Sequence, residues 1–275
     1  TTGVITIPLM KSVGYRPEFA AAVEAVAGNG GQIMPPVMGA VAFVMAEWLG
    51  IPYWEICVSS FVPAFLYYFV EFVQVDLEAA RLGLVGLPRQ ALPRLGQTLK
   101  SGWYFLIPPI VLVLLLAVLG FTPQTAAIYS TAIMIVLSFV KRANRNLRWV
   151  LRALQGSAQQ MVILVPACAV AGVIIASVVL TGVGFKLSGS LVYLAGGSLP
   201  LLLVLAAAGA FILGMGMMTL VCYVIVVILV APALVQMGVL PLAAHLFVFW
   251  WSLTSCITPP VAIAAYIGGG IAGAD

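Results

Sequence analysis

Long apolar stretches limit what this chain can fold into. Four of them come close to the roughly 20 apolar residues that a helix needs to cross a bilayer: residues 54–75, 102–119, 124–140 and 158–181. Only 7% of all residues are charged, whereas soluble domains carry about 25%. A water-facing surface cannot be built from so few charges, so the sequence predicts an all-α polytopic membrane protein.

Three further apolar stretches contain helix-breaking residues. Residues 17–48 hold a Gly-Asn-Gly-Gly run and a Pro-Pro pair, residues 241–272 hold Thr-Ser-Cys-Ile-Thr-Pro-Pro, and residues 199–236 hold Gly-Met-Gly. A continuous helix over 199–236 would be about 57 Å long, nearly twice the hydrocarbon thickness. We therefore predict a re-entrant helical hairpin at 199–236 and broken transmembrane helices at 17–48 and 241–272. The alternative, in which the latter two stretches are the hairpins, stays open.

The chain contains an internal repeat. When it is shifted by 224 residues, 8–40 lies over 232–264 without a gap, and nine of 33 positions are identical. The identities include four prolines in register, which apolar composition alone does not produce. An odd number of spans separates the copies, and the basic loop at 11–16 has an uncharged counterpart at 235–240. We therefore predict inverted structural repeats, with the basic segments 81–100 and 141–152 in the cytoplasm.

These features predict three parts. Residues 1–53 form the C-terminal part of the first inverted repeat, with a hairpin arm and a broken helix. Residues 54–157 form scaffold helices and cytoplasmic amphipathic connections. Residues 158–275 form the second inverted repeat, with a helix, the hairpin 199–236 and the broken helix 241–272. Because the chain starts without Met, inside membrane-like sequence, we expect it to be a fragment of a longer protein.

The interruptions predict a site for ions or substrate. Helical backbone is unwound at membrane depth only where it lines a protein or water cavity. The freed carbonyls can coordinate Na⁺, and helix N-termini can hold an anion. Kinks filled by neighbouring helices are the alternative. The candidate ligands carry carbonyl or hydroxyl oxygens at the three breaks: Gly28, Asn29, Gly30, Gly31, Gln32, Gly214, Gly216, Thr219, Thr254, Ser255 and Thr258.

Glu24 is a separate candidate. It lies about 10 Å into an apolar helix by helical rise, and an intramembrane carboxylate is a functional candidate by default. The alternative is a structural ion pair with Arg16 or with a residue of an absent segment.

Catalysis and nucleic-acid binding are disfavoured. His245 is the only histidine, the four cysteines show no CxxC spacing, and no His or Asp pair lies in the apolar stretches. A His-based metal cluster is therefore impossible within this chain, neither a zinc site nor a nucleophile–base pair is indicated, and no catalytic residue is predicted. The basic residues fall in a few short segments, which suits membrane orientation better than nucleic-acid binding.

Two segments resemble the large membrane subunit of tripartite ATP-independent periplasmic (TRAP) transporters, most closely its TAXI subgroup. They are residues 14–53, beginning GYRPEF and ending GIPY, and residues 213–275, with LGMGMMT and TSCITPP. Met218 stands where related chains often have Pro. The resemblance implies a permease with an elevator mechanism in the bacterial or archaeal cytoplasmic membrane. In the TAXI subgroup this subunit is often fused to the small membrane subunit.

The resemblance also implies a function. A periplasmic substrate-binding protein would deliver a small organic anion, often a carboxylate, for sodium-coupled symport. Na⁺ would bind at the hairpin tips and broken helices, which correspond here to residues 28–32, 214–219 and 254–258, and no organic cofactor is implied. A channel or a purely structural membrane subunit is the alternative.

Overall fold

The computed structural model describes residues 2–86, 96, 100, 102–139, 147–215, 217–259 and 262–274. Within these ranges the chain is helical and has no β-strand, which confirms the predicted all-α class. Two 3₁₀ turns, Trp103–Leu106 and Thr254–Cys256, lie before α5 and after α11. The α-helices are α1 (Gly3–Val13), α2 (Pro17–Gly30), α3 (Ala40–Leu49), α4 (Tyr53–Leu82), α5 (Ile107–Ala117), α6 (Pro123–Ser138), α7 (Leu147–Thr181), α8 (Val183–Leu194), α9 (Leu199–Gly214), α10 (Thr219–Gln236), α11 (Pro241–Leu253) and α12 (Ile263–Ala272).

The residues group into two compact units. The smaller contains Pro52–Glu55 and Leu87–Cys168, and in it α5 packs against α6. The larger contains Thr1–Ile51, Ile56–Gly86 and Ala169–Asp275, and it holds all the described candidate site residues. These units reflect spatial compactness, whereas the three parts predicted above reflect the sequence repeat. The division into two repeats around residues 54–157 therefore stays a prediction.

Helix α10 forms the core of the larger unit. Twelve of its 18 residues are buried, and it contacts α3, α8, α9 and α11. A helix that is apolar on all sides is expected to be surrounded by protein or lipid. On α4, by contrast, Phe61, Phe65, Phe69 and Phe72 are all more than half exposed. A row of exposed aromatic side chains suits a lipid-facing surface.

Equivalent positions of the two repeat copies share local geometry. Gly14 and Gly238 both have left-handed backbone, with φ of 116° and 89°, which glycine adopts without steric cost. The residue after each glycine donates its N–H to the carbonyl five positions earlier, at 3.1 Å in both copies. Proline then begins the next helix at Pro17 and Pro241, because its fixed φ suits a first helical turn.

The second shared feature is rarer. Met38 and Ala262 are the two non-glycine residues with positive φ in the described ranges, at 48° and 33°, and they are also 224 residues apart. Each lies at the end of an interruption. Met38 lies two residues before α3 begins at Ala40, and Ala262 lies directly before α12 begins at Ile263. Such backbone is strained for a residue with a Cβ and persists only where surrounding structure holds it. The opposite membrane orientation of the two copies stays a prediction.

The first interruption lies later than the sequence predicted. Gly28, Asn29 and Gly30 are the last three residues of α2, and irregular backbone covers residues 31–39. The physical reason is that glycine costs a helix only about 1 kcal/mol, whereas Pro35 and Pro36 lack the N–H that a helix interior needs. The second interruption begins with the 3₁₀ turn Thr254–Cys256, and the helix resumes at Ile263. At the tip, α9 ends at Gly214 and α10 begins at Thr219.

Two helices of the described ranges, α4 and α10, are long and apolar enough to cross a membrane. Residues Gly172–Val178 and Val183–Leu194 add a third span if this pair, bent by 68°, counts as one. α5 and α6 have 11 and 16 residues, so they are shorter than the predicted spans 102–119 and 124–140, because a 3₁₀ turn and helix ends occupy the remaining described positions. Within the basic segments 81–100 and 141–152, residues 87–95, 97–99 and 141–146 lie outside the described residues. The cytoplasmic location of these segments and the re-entrant course of 199–236 stay predictions.

Helix α2 packs closely against α12. A buried cluster of Ile7, Ala20, Ala21 and Ala272 joins α1, α2 and α12. A Cβ on Gly268 would lie 3.0 Å from the carbonyl oxygen of Ala21. Glycine therefore allows the two backbones to approach this closely, as small residues do between membrane helices.

We expect the substitution Gly268→Ala to lower stability. Alanine normally stabilises a helix by about 1 kcal/mol relative to glycine, but at residue 268 its methyl group would push α12 away from α2. The matched control is Gly270→Ala, where a Cβ would meet nothing within 4 Å. Thermal unfolding of the purified protein in detergent should occur several degrees lower for Gly268→Ala than for Gly270→Ala. Equal midpoints would contradict the close packing.

Candidate functional site

Asn29 links the two interruptions. It lies in the last turn of α2 and is 6% exposed. Its Nδ2 donates to the carbonyl oxygen of Leu253 at 2.6 Å. Leu253 is the last residue of α11, where the α-helix changes to the 3₁₀ turn. One buried hydrogen bond therefore ties the end of the first half-helix to the end of its repeat equivalent.

A chain of polar contacts continues from Asn29 towards the tip. Gln32 Nε2 donates to Asn29 Oδ1 at 3.0 Å and to Thr219 Oγ1 at 3.3 Å. The Thr219 hydroxyl also lies 3.2 Å from the Sγ of Cys256. These contacts join the first interruption, the first residue of α10 and the second interruption. Candidates from all three sequence breaks thus meet at one place.

The hydroxyls of the second interruption are bonded to their own segment. Thr254, Ser255 and Thr258 each donate to a carbonyl three or four residues earlier, at 2.7 Å in every case. Ser255 and Thr258 are buried. A hydroxyl that donates its hydrogen keeps its oxygen lone pairs. These oxygens therefore have the polarity that a cation ligand needs.

The tip packs directly against the second interruption. A Cβ on Gly214, the last residue of α9, would lie 2.9 Å from Cys222 Sγ and 3.5 Å from Ser255 Cβ. Met218 precedes α10 with a φ of −66°, which is the φ that proline imposes. The backbone at Met218 would therefore also accommodate a proline. Gly216 lies outside the described residues.

The first turn of α10 brings amide groups to the same place. The first N–H groups of a helix have no partner in a preceding turn, and they carry the positive end of the helix dipole. α10 begins at Thr219 and has no acidic residue in its first turn. This end of the helix can therefore hold an anion beside the hydroxyl and carbonyl oxygens of the interruptions.

A cavity of about 380 Å³ opens beside Asn29. Its lining includes Gly28, Gln32, Cys256 and, one turn earlier on α2, Glu24. A Cβ on Gly28 would meet nothing within 4 Å, so the cavity reaches the backbone of α2. A water molecule occupies about 30 Å³ in the liquid, so the space can take an ion with several waters or a small molecule.

Glu24 has two hydroxyl partners. Its Oε1 accepts a hydrogen bond from Thr2, and its Oε2 accepts one from Thr6 Oγ1 at 2.5 Å. The ion pair found among the described residues is Arg81–Glu78. Within those residues Glu24 is therefore bonded to the two threonines and does not form the ion pair with Arg16 that was the alternative. Glu24 thus lines the same cavity as Asn29 and Gln32 with its carboxylate held by neutral donors.

Gly30 and Gly31 have different surroundings. A Cβ on Gly30 would lie 2.4 Å from the ring of Tyr67, so glycine is required there for close packing of α4. The hydroxyls of Tyr67 and Tyr68 donate to the carbonyls of Val26 and Ala27, at 3.0 and 2.9 Å. A Cβ on Gly31 would only make ordinary contact with the Gly28 carbonyl. α4 therefore holds the last turn of α2 in place.

Sequence reasoning did not identify Leu253, Cys256, Thr2 and Thr6 as parts of the site. For the first two a signal was present, because the 224-residue register places Leu253 opposite Asn29 and Cys256 opposite Gln32. Thr2 and Thr6 have the four-residue spacing of one helix face. The sequence does not say which residue that face meets.

A family model described as "Tripartite ATP-independent periplasmic transporter, DctM component" matches residues 1–275. The match therefore includes both interrupted helices and the tip between α9 and α10. No curated protein matches the chain.

We expect Asn29→Leu to lower the free energy of unfolding by about 1–3 kcal/mol, the usual cost of removing one partner of a buried hydrogen bond. The control is Gln236→Leu, which replaces an exposed amide at the end of α10. Denaturant unfolding of both variants in detergent measures the difference. A change no larger for Asn29→Leu than for Gln236→Leu would contradict a structural role of the Asn29–Leu253 bond.

Proposed function

This chain belongs to the DctM family of tripartite ATP-independent periplasmic transporters, and on that premise we propose that it couples the import of a small organic anion to the movement of Na⁺. DctM components are membrane-embedded transporter subunits that work with a periplasmic binding protein and a small membrane subunit. The observation that carries the proposal is the polar chain from Asn29 through Gln32 and Thr219 to Cys256. It joins two interrupted helices and a tip within the larger unit.

The proposed Na⁺ ligands are oxygens at this junction. They come from the side chains of Gln32 and Thr219, from the hydroxyls of Ser255 and Thr258, and from backbone carbonyls of the interruptions. Because three separate segments contribute, a bound Na⁺ would hold the tip against both interruptions. Loss of the ion would release the tip, since a ligand shifts an equilibrium by its differential affinity for the two states.

The proposed anion site is the N-terminus of α10. The dipole of α10 and its first amides favour a carboxylate, and bound Na⁺ would add positive charge beside it. The two ligands would then bind better together than apart. This positive cooperativity is the thermodynamic requirement for symport.

The finer assignments belong to the same proposal. We propose a TAXI-type permease that is fused to its small membrane subunit, with inverted repeats that move as an elevator in the bacterial or archaeal cytoplasmic membrane. The backbone features shared by Met38 and Ala262 support the repeat. The absence of Asp, Glu, Lys and Arg from residues 187–274 supports a multi-pass course through lipid.

Thr219→Val is expected to raise the Na⁺ concentration for half-maximal uptake about tenfold, the equivalent of about 1.4 kcal/mol. Valine has nearly the same shape but lacks the hydroxyl that Gln32 and Cys256 contact. Thr219→Ser keeps the hydroxyl and should keep the Na⁺ dependence. Both are measured as substrate uptake into vesicles by the complete transporter with its binding protein. The same Na⁺ dependence in the valine and serine variants would exclude Thr219 as a ligand.

The same vesicles distinguish a symporter from a channel. A symporter should show uptake that saturates with substrate, stops without Na⁺ and requires the binding protein. Uptake that continues without both Na⁺ and the binding protein would refute the proposed function.

A further inference from the structure

A second cavity of the larger unit, of about 740 Å³, is a groove between α2, α4 and α11. Its walls are apolar and aromatic, with Leu66, Tyr67 and Val70 on α4 and Phe247 and Trp250 on α11. Leu66 and Val70 are more than half exposed, so the groove opens on the apolar face of α4 that suits lipid. It shares no lining residue with the cavity beside Asn29.

Glu71 lies in this groove without a partner. It is 8% exposed. Both of its carboxylate oxygens are buried, and neither has a hydrogen bond within the part of the chain that the structure describes. A buried carboxylate without a partner is costly in apolar surroundings. The proposed transport mechanism does not use Glu71. The described lining of the groove contains no Lys, Arg or His, so it supplies no positive charge to this carboxylate.

The groove has a polar end and an apolar end. Along α4 its lining runs from Pro63 and Leu66 to Glu71 and Gln74, a distance of about 16 Å by helical rise. Asp76 follows shortly after Gln74, and the ion pair of Glu78 and Arg81 lies in the last turns of α4. The polar end therefore points towards the charged end of the helix, where a lipid headgroup would lie.

We propose that this groove binds a phospholipid with a primary-amine headgroup. The Glu71 side chain turns towards the groove so that its carboxylate pairs with the ammonium, and an acyl chain lies along Leu66, Val70 and Phe247. An ammonium supplies three N–H donors, and the rings of Tyr67 and Trp250 can face it favourably. A headgroup of net negative charge is repelled by the carboxylate, and a quaternary amine has no N–H to donate. The groove therefore selects among lipids by headgroup.

The test is native mass spectrometry of the purified complete protein, titrated with lipids of identical acyl chains. Phosphatidylethanolamine should bind about tenfold more tightly than phosphatidylglycerol, as expected for a hydrogen bond to a charged group. Phosphatidylcholine should fall between them. Glu71→Gln has the same shape without the charge, and it should remove the preference. The matched control, Asp76→Asn, replaces an exposed carboxylate of the same helix and should keep it.

A second variant tests the apolar end. Val70→Trp would fill the groove from an exposed position, and it should weaken binding of all three lipids alike. Equal affinity of the wild-type protein for phosphatidylethanolamine and phosphatidylglycerol would overturn the proposal. An unchanged headgroup preference in Glu71→Gln would also overturn it. So would a structure of the complete protein in which another protein helix, and not a lipid, covers Glu71.

Discussion

A polar group surrounded by apolar atoms needs a partner, and here the ends of two interrupted helices provide partners for each other. Asn29 is buried at the end of α2, and it bonds the carbonyl of Leu253 at the end of α11. An unsatisfied buried amide would cost about 1–3 kcal/mol. Because Asn29 is fixed, its oxygen can accept from Gln32, and Gln32 in turn reaches Thr219. The Asn29–Leu253 bond therefore helps to position Thr219 at the tip, although neither of its two residues belongs to the tip.

The 224-residue register gives this bond a further meaning. Asn29 and Leu253 are equivalent positions of the two repeat copies, as are Gln32 and Cys256. A residue contacts its own equivalent only close to the axis that relates two copies, so the axis of the proposed repeat would pass beside Asn29. The side chains at these positions are not symmetric, because one copy has two amides and the other has leucine and cysteine. Both Gln32 and Cys256 nevertheless contact Thr219, so two equivalent positions of the sequence repeat meet the same hydroxyl with different side chains.

The sequence predicted those features that depend on local chemistry. Pro17 and Pro241 begin helices as expected, and the tip separates α9 from α10 at the predicted Gly-Met-Gly. The first interruption was placed too early, since glycine weakens a helix by only about 1 kcal/mol and α2 continues to Gly30. The partners of Glu24 could not be predicted, because α1 contacts α2 through tertiary packing that no local pattern specifies. The same holds for Glu71, whose isolation depends on three helices from distant parts of the chain.

The polar contacts also differ in strength, and the difference indicates which part of the site can move. The Asn29–Leu253 bond, at 2.6 Å, is slightly shorter than the usual range for N–H···O bonds, whereas Gln32–Thr219, at 3.3 Å, is slightly longer. The other contact of Thr219 is with a thiol, which is a weak donor and a weak acceptor. The polar contact between the two helix ends is therefore the strong one, and the polar contacts that Thr219 makes with both interruptions are the weak ones. A cation coordinated by these oxygens would replace only the weak contacts of Thr219. Little of its binding free energy would then be lost in breaking existing bonds, and most of it would stabilise the tip against the two interruptions.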